Sequence, residues 1–361
     1  MDQATLDWTP DAPYGGLIGV GAVGTGLFFA LEGNHTLGRN ESRPARWLDV
    51  RDYCKLHIIA HYVAVLLGAG VEDGRFHVLP VATVGSDQPG RSMTAEMARV
   101  GMDVRGVRAL EDRPTAFSVC FQYPDGSGGN ITTSDSAAAA LDAADVDVAW
   151  GLLRAPGARY LALAAPEVPL TLRRHFLCRA SEAGAFRAAC LTSADAVSPE
   201  RDGFLGLADL VAMNEDEASA LTGIPFPEDD VRPFLDVCAE VLQSYRSEIR
   251  IVMTAGERGA YLFDGGDWYH RPALAVPVSS SAGAGDALLA GVLSALAVGM
   301  PLSASGTPAL PQPLASGLDL AVTLAGFTVT SPHTIHSEAR LPTLLAFARQ
   351  SRFRPPAKHG R

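Results

Sequence analysis

The residues best suited to chemistry lie in one stretch, 279–296, which reads SSSAGAGDALLAGVLSAL. Leucines and valines at helical spacing follow Asp286, so the small residues before it stand at a predicted helix start. Unpaired backbone N–H groups and the helix dipole make such a start an anion site. Asp286 could take a proton from an attacking hydroxyl, which together with the anion site suits phosphoryl transfer. The alternative is that Asp286 is an ordinary residue of the first helical turn.

A second polar cluster, Asn214-Glu-Asp-Glu217, directly follows an apolar segment that ends at Met213. In open α/β sheets ligands bind at the carboxyl ends of the strands. An amide and carboxylates there could hold Mg²⁺ through water and meet phosphates. Asn214 and Glu217 also fit a capping box that begins a helix, and the two roles are compatible.

Two further segments could border a nucleotide. The first contains Thr254, Gly256 and Gly259 after a predicted strand, where the backbone could approach a ligand; a plain turn between strands is the alternative. The second, near the last predicted helix, has small side chains at Ala325 and Thr328 that could form the wall of an adenine pocket. The same composition is also typical of a protein core.

The remaining pattern predicts an open α/β sheet. Strands are predicted at 76–84, 103–107, 115–123, 160–164, 186–191, 209–213, 249–253, 260–263 and 274–278. Helices are predicted at 52–68, 91–100, 170–183, 199–207, 215–221, 231–245 and 318–328, in addition to the helix that 283–286 begins, with a short alanine-rich helix capped by Ser134 or Asp135. Strands that alternate with helices of this length are typical of a mostly parallel sheet covered on both faces. The proline-rich segment 299–317 reads as a loop.

Glycines near the N-terminus offer a competing interpretation. Gly19, Gly21 and Gly24 match the GxGxxG pattern of dinucleotide-binding turns, which would indicate an NAD(P)-dependent oxidoreductase. That motif needs a strand before the first glycine and a helix after the last. Only two apolar residues precede Gly19, and Phe28 and Phe29 favour a strand. We therefore favour one long strand whose glycines allow bending or close approach.

Composition restricts the class of protein. The chain has 361 residues, 47% of them hydrophobic, and a net charge of −11, so it can build a full core. The acidic balance argues against a nucleic-acid or anionic-membrane surface, which needs a basic footprint. Five dispersed cysteines without a CxxC pair indicate free thiols in a reducing compartment. With no signal-peptide pattern and no apolar run of ~18 residues, we expect a cytoplasmic protein without membrane segments.

Together these motifs resemble the ribokinase family, also called the PfkB carbohydrate kinases. NxxE at 214–217, TxGxxGA at 254–260 and GAGD at 283–286 follow VGSDQPG at 84–90 and GMDV at 101–104 in the order of that family. The resemblance covers 15–350 and leaves 1–14 and 351–361 as loose termini. It implies a three-layer α/β/α sandwich with a mostly parallel central sheet. It also implies a small β-sheet lid from about 24–50 and 113–133.

The resemblance further implies an ATP-dependent phosphotransferase whose base, Asp286, deprotonates a hydroxyl of a small polyol: a sugar, a cyclitol or a nucleoside. The backbone of Gly283, Ala284 and Gly285 would stabilise the transferring phosphoryl group. Asn214 and Glu217 would organise Mg²⁺–ATP. Thr254, Gly256 and Gly259 would border the nucleotide. Lid strands in this family often pair between subunits, so we expect a homodimer.

The sequence departs from the family at the substrate end of the site. Ser280-Ser281-Ala282 replaces the usual Asp-Thr-Thr, which removes a carboxylate associated with a monovalent-cation loop. The sugar-gripping GGxxxNxA segment is replaced by CKLHIIAHY, and no aspartate lies between Asp11 and Asp49. Candidates for a rebuilt substrate surface are Asn34, His35, Arg39, Asn40, Lys55, His57 and His61.

Each of those candidates could instead belong to a solvated lid, and a metal role for the two histidines is a weaker alternative. A regulatory protein on the same fold that binds ligands without turnover is a second hypothesis for the whole chain. The intact Asp286 and Glu217 argue against it.

Overall fold

The computed structural model describes residues 5–72, 74–125, 128–154, 159–304 and 314–354. The strands, in chain order, are β1 (Gly16–Val20), β2 (Gly24–Leu31), β3 (Ala45–Tyr53), β4 (His77–Gly85), β5 (Val107–Leu110), β6 (Ala116–Gln122), β7 (Gly128–Thr132), β8 (Tyr160–Ala164), β9 (Phe186–Cys190), β10 (Leu210–Asn214), β11 (Arg250–Thr254), β12 (Ala260–Asp264) and β13 (Trp268–Arg271). The α-helices are α1 (Lys55–Leu67), α2 (Gln88–Arg99), α3 (Ala143–Trp150), α4 (Leu170–Glu182), α5 (Ser193–Ala196), α6 (Arg201–Leu205), α7 (Glu215–Thr222), α8 (Arg232–Tyr245), α9 (Ala284–Ala297), α10 (Gly317–Thr328) and α11 (Leu341–Gln350).

Nine of these strands form one sheet in the order β13-β12-β11-β10-β9-β8-β1-β4-β5. The pairs from β5 to β11 are parallel, while β12 and β13 are added antiparallel at one edge. Every residue of β1, β4, β8 and β9 is buried, as expected for parallel strands covered on both faces. The predicted sandwich with a mostly parallel sheet is confirmed.

Alternating residues of the central strands feed two separate cores. Leu17 packs in a core with residues of α1, α9 and α10, whereas its neighbour Ile18 packs in a second core with residues of α4, α7 and α8. Because successive strand side chains point to opposite faces, one apolar strand supplies both layers. Helices α1 and α9 lie on the same face and pack against each other.

The other four strands form the separate lid sheet, in the order β3-β2-β6-β7. Its strands span 24–31, 45–53, 116–122 and 128–132, close to the lid predicted at about 24–50 and 113–133. Strand β3 continues to Tyr53 and leads into α1 after a single residue, Cys54. Helix α1 therefore begins at Lys55, three residues later than the predicted 52–68 helix.

The two faces of the lid differ in chemistry. Register places Leu27 beside Val119, and Val119 beside Ile131, on one face. Phe29 pairs with Trp47 and Phe121 on that same face. Register places the other set, Gly26, Asp52, Ser118 and Thr132, on the opposite face. We call the first the apolar face and the second the polar face, which also carries Phe28, Leu48 and Cys120.

The glycine pattern at 19–24 is not a dinucleotide-binding turn. Gly19 lies within β1 and Gly24 begins β2, so a strand rather than a helix follows the last glycine. The expected single long strand is also wrong, because β1 and β2 belong to different sheets. Close approach is confirmed: a Cβ on Gly21 would lie 2.8 Å from the Leu56 Cβ.

Several other predicted elements are corrected. Segment 274–278 makes only an isolated bridge from Leu274 to Phe353, because its backbone bonds with 352–354 and Pro277 has no N–H to continue a ladder. Segment 103–107 is mainly a 3₁₀ turn before β5. The alanine-rich segment is a 3₁₀ turn at Ala137–Ala140, followed by α3 with Asp142 as its cap. Strand β13 and helix α11 were not predicted.

The N-terminal segment lacks regular structure but is not loose over 5–14. Leu6 and Tyr14 are buried, and the Leu6 N–H donates to the Leu66 carbonyl at 2.8 Å. At the other end, Ser351 is buried and Phe353 bridges to Leu274. Of the predicted 299–317 loop, the part at 305–313 lies outside the described residues, as do 355–361.

All five cysteines are free thiols, as predicted. Two of them, Cys190 and Cys238, are buried. In the part of the chain that the structure describes, no helix combines the length and apolarity needed to span a bilayer.

We predict that Gly291→Ala destabilises the fold. A Cβ at this position of α9 would lie 2.5 Å from the Ala321 Cα of α10. Overpacking of this kind costs about 1–3 kcal/mol, which offsets the gain of about 1 kcal/mol expected for replacing a helical glycine. Urea unfolding measures the change, with Gly266→Ala, which meets no atom within 4 Å, as the matched control. Equal stability of the two variants would contradict the close packing of α9 on α10.

Candidate active site

The start of α9 lies at the carboxyl edge of the sheet and has the geometry of an anion site. Gly283, the N-cap, has φ 80°, a left-handed conformation that suits glycine. A Cβ there would also collide with the Thr334 carbonyl oxygen. The Ala287 N–H donates to the Gly283 carbonyl at 2.9 Å, and the Ala284 N–H makes a longer 3.3 Å bond to the Ser281 carbonyl. The first-turn N–H groups that follow have no partner within the helix.

A cavity of about 600 Å³ opens at this helix start. Its volume lies within the range of small-molecule sites. It brings together three predicted segments that are far apart in the sequence, the ends of β10 and β11 and the start of α9. The predicted site residues that line it are Lys55, Asn214, Glu217, Thr254, Gly256, Gly259, Gly283, Ala284, Gly285, Asp286 and Ala325.

Asp286 is only partly exposed at the wall of this cavity. Burial raises the pKa of its carboxyl to about 6, with smaller contributions from the carboxylates of Glu217 and Asp52. The charge of Lys55 acts in the opposite direction and lowers this pKa. A carboxyl group with this pKa is ionised at neutral pH yet basic enough to accept a proton.

Lys55 interacts with carboxylates from two parts of the site, Glu217 of α7 and Asp286 of α9. It is the first residue of α1, and its Nζ lies 3.8 Å from Glu217 Oε1. Burial lowers the pKa of Lys55, but the carboxylates of Asp286 and Glu217 more than offset this, so the net pKa is raised. The ammonium group therefore remains charged at neutral pH.

Glu167 is a third carboxylate at this site and follows β8. The residue as a whole is exposed, whereas its carboxyl group lies close to Cys54 and to the Lys55 backbone. Enclosure by protein raises its pKa to about 7, and the charge of Asp286 adds to this. Glu167 Oε2 accepts the Lys55 backbone N–H at 3.3 Å, and its backbone has φ 74°, rare for a residue other than glycine.

Asn214 and Glu217 form the capping box that the sequence allowed. Asn214 Oδ1 accepts the Glu217 N–H at 2.8 Å, and Glu217 Oε2 accepts the Asn214 N–H at 2.7 Å. Glu217 Oε1 is the oxygen that faces Lys55. The cap therefore fixes the direction of a carboxylate that also lines the cavity.

The far end of the cavity is mainly apolar. Its walls come from the segment before α9, from α9 itself and from α10, with Leu274, Val276, Val278, Leu289, Val322, Ala325, Gly326 and Val329 among them. An apolar wall of this kind suits an aromatic base. Thr328, predicted here, is instead fully buried, and its hydroxyl donates to the Leu324 carbonyl at 2.9 Å.

A short loop ties the lid to the anion site. His333 Nδ1 accepts the Arg51 N–H at 3.0 Å, and Thr334 Oγ1 accepts the Tyr53 N–H at 3.2 Å. The Thr334 N–H also donates to the Arg51 carbonyl at 3.2 Å. The end of β3 and the Gly283 turn thus share contacts with Thr334.

The remaining predicted substrate residues do not line the cavity. Asn34, His35, Arg39 and Asn40 are exposed in the connection between β2 and β3, where His35 Nε2 lies 3.0 Å from Glu41. His57 is fully buried on α1, its ring 4.6 Å from that of Tyr53. Burial lowers the pKa of His57 to about 3 and that of His61 to about 4. Among the described residues no group of three or more metal-ligating side chains is arranged to hold a metal ion, so the metal role of the two histidines has no support.

Sequence reasoning missed Glu167 and Asp52. Glu167 comes shortly after the apolar strand YLALA, and the rule applied to Asn214, that strand ends carry ligands, could have identified it. Asp52 was assigned to the start of a helix, whereas it lies in β3 on the polar face of the lid.

Comparison with solved structures supports the fold. Ribokinase from Giardia lamblia aligns with TM-score 0.70 and 16% identity, covering 87% of this chain and 94% of that one. Ribokinase from Thermotoga maritima gives 0.69 and 18%, covering 92% and 99%. Arabidopsis thaliana ribokinase complexed with ribose and ATP gives 0.66 and 18%, covering 94% and 99%.

A sequence search of curated proteins found no match. The model of the pfkB family carbohydrate kinases matches residues 61–340, which is well over half of the chain. The resemblance seen in the motifs is therefore confirmed, and the chain belongs to the pfkB family of carbohydrate kinases.

Proposed function

We propose that this protein transfers the γ-phosphoryl group of Mg²⁺–ATP to a hydroxyl of a small polyol. The observation that carries the proposal is the position of Asp286, beside the N-terminus of α9 in the cavity wall and with its pKa raised to about 6 by burial. Phosphoryl transfer needs a base near the acceptor hydroxyl and a positive environment for the transferred group. The start of α9 supplies both within one helical turn.

The cavity also has room for the rest of the nucleotide. The adenine would lie against the apolar wall formed by α10 and the segment before α9, with Thr254, Gly256 and Gly259 bordering the ribose and phosphates. The γ-phosphate would then meet the N–H groups of Gly283–Gly285 and the Lys55 ammonium. An ammonium group and helix N–H groups stabilise negative charge as it develops on the phosphoryl oxygens.

The donor set fits Mg²⁺ held partly by the nucleotide. Asn214 Oδ1 and Glu217 Oε2 are engaged in the capping box, so Glu217 Oε1, which lies 3.8 Å from Lys55 Nζ, is the oxygen that is not bonded in the cap. One or two carboxylates, several waters and the substrate phosphates are what Mg²⁺ uses in nucleotide sites. Glu217, with Asn214 behind it, would meet the ion through water, and the ion would supply charge neutralisation on the phosphates.

Asp286→Asn is expected to remove most of the turnover. The amide keeps the shape of the side chain but cannot accept the hydroxyl proton, so kcat should fall by about 10²–10⁴-fold. A coupled assay of ADP release across sugars, cyclitols and nucleosides measures this, with ATP affinity of the variant as the control for an intact site. Near-normal turnover by the variant would refute Asp286 as the base. Tight binding of a polyol by the wild type without product would favour the regulatory hypothesis.

The pH dependence tests the coupling between Lys55 and Asp286. In the wild type kcat/KM should rise with pH and reach half its plateau near pH 6, because only the Asp286 carboxylate acts as base. In Lys55→Met the carboxylate loses its cation, so its pKa rises and the acid limb should move up by about one pH unit or more. Lys55→Arg keeps the charge and should keep the limb in place. An unmoved limb in Lys55→Met would show that Lys55 does not act on the base.

We further propose that the protein forms a homodimer through the apolar face of the lid. Leu27, Trp47 and Ile131 are exposed on that face, with exposed fractions of 38%, 60% and 68%. Register places Val119, Phe29 and Phe121 on the same face between them. A contiguous apolar patch of this kind is typical of an interface.

Trp47→Asp and Ile131→Asp should each convert the dimer to monomers, because a carboxylate in an apolar interface is not solvated. Light scattering after gel filtration measures the mass. Val148→Asp, at an equally exposed apolar position on α3, is the matched control and should leave the mass unchanged. A wild-type monomer, or a dimer that survives both lid variants, would exclude this interface.

A further inference from the structure

Asp52 lies in the lid at a position where the neighbouring strand β2 leaves space for its side chain. It pairs with Gly26 of β2, and a Cβ on Gly26 would lie 2.7 Å from Asp52 Oδ2. The carboxylate therefore fills the space that a side chain on β2 would take. On the other side, the Cys120 Sγ of β6 lies 3.9 Å from the same oxygen.

Within the described residues, no cation is among the groups that act on this enclosed carboxylate. The Cys120 thiol donates to it, and the Tyr53 backbone N–H, which donates to Thr334 Oγ1, also interacts with it; neither group is charged. Burial raises the pKa of Asp52 to about 6, so it is still largely ionised at neutral pH. An enclosed carboxylate with few donors is unfavourable unless further hydrogen-bond donors reach it.

Asp52 lies beside the start of α9. Its neighbours Arg51 and Tyr53 bond to His333 and Thr334, and Thr334 lies against Gly283. Lys55, three residues further on, lines the cavity.

The charge of Asp52 acts on the carboxyl of Asp286 on α9 and on the thiol of Cys54 at the start of α1. Glu167 acts on the same region from the end of β8. The acceptor would therefore lie between a carboxylate on the lid and two carboxylates on the core, with Lys55 nearer the phosphoryl end.

The arrangement discriminates between acceptors by charge. A carboxylate accepts hydrogen bonds from two or more donors, and adjacent hydroxyls of a polyol present such donors in pairs. An acceptor that already carries a phosphate or carboxylate group would bring a like charge close to Asp52, Glu167 and Asp286, which is strongly unfavourable in an enclosed site. Lys55 cannot offset this, because it already lies between Glu217 and Asp286.

We propose that Asp52 is a specificity-determining residue whose carboxylate binds hydroxyl groups next to the one that is phosphorylated, so that the enzyme accepts uncharged polyols and rejects sugar phosphates and sugar acids. This inference rests on the proposed kinase function.

The test is steady-state kinetics with ATP and four acceptors, D-ribose, D-fructose, myo-inositol and adenosine, each compared with its monophosphate. The wild type should use at least one uncharged acceptor with kcat/KM about 100-fold or more above that for its monophosphate. Asp52→Asn should raise KM for the uncharged acceptor by about 10- to 100-fold, the range of a hydrogen bond to a charged group. Its kcat should fall less than its kcat/KM.

Asp49→Asn is the matched control, since Asp49 is exposed on the same strand. It should change KM by no more than about twofold. ATP affinity and the circular dichroism spectrum of Asp52→Asn should match the wild type, which separates lost recognition from a misfolded lid.

The outcomes for this inference and for the proposed function can be told apart. If Asp286→Asn abolishes turnover while Asp52→Asn keeps the wild-type KM, the kinase function stands and the role of Asp52 is overturned. A wild type that prefers the monophosphates overturns the role of Asp52 in the same way. No transfer to any of these acceptors would overturn both.

Discussion

The site depends on negative charge held around one ammonium group. Lys55 Nζ lies 3.8 Å from Glu217 Oε1, and the Lys55 charge lowers the pKa of Asp286. Helices α1 and α9 pack against each other on one face of the sheet, which brings their N-termini to the same edge. The positive ends of these helices add to the Lys55 charge. Without this convergence, carboxylates from α7, α9, the end of β8 and the lid could not remain ionised so close together.

Functional groups that lie within a few contiguous residues could be predicted from the sequence. The start of α9 and the Asn214–Glu217 cap were found because a helix start is specified by its own few residues. The place of Asp52 depends on the pairing of β3 with β2, which no local pattern encodes. Glu167 follows the end of β8, so the strand-end rule that identified Asn214 could have identified it as well. His57 was misplaced for a related reason: nearly all residues of α1 are buried, so its position in that helix, not its residue type, decides that it is buried.

The two interpretations of Asn214 and Glu217 are parts of one arrangement. The capping bonds hold Glu217 Oε2 against the start of α7, and the other carboxylate oxygen is then left to face Lys55. A carboxylate fixed at one oxygen loses little conformational entropy when its second oxygen meets a ligand. A bond that stabilises a helix start therefore also orients a functional group, and a structural role is no argument against a chemical one.

The loop at 331–336 has a consequence for motion. Thr334 bonds to the backbone of β3 through both its N–H and its hydroxyl, and its carbonyl lies against Gly283. The lid strand and the turn that begins α9 are thus parts of one mechanical linkage rather than two independent elements. A hinge movement of β3 cannot leave Gly283 undisturbed unless these bonds break first. A substitution that breaks the contacts of Thr334 would therefore lower kcat, although Thr334 is not a reacting group. In kinetic measurements such a loss resembles a defect of the chemical step.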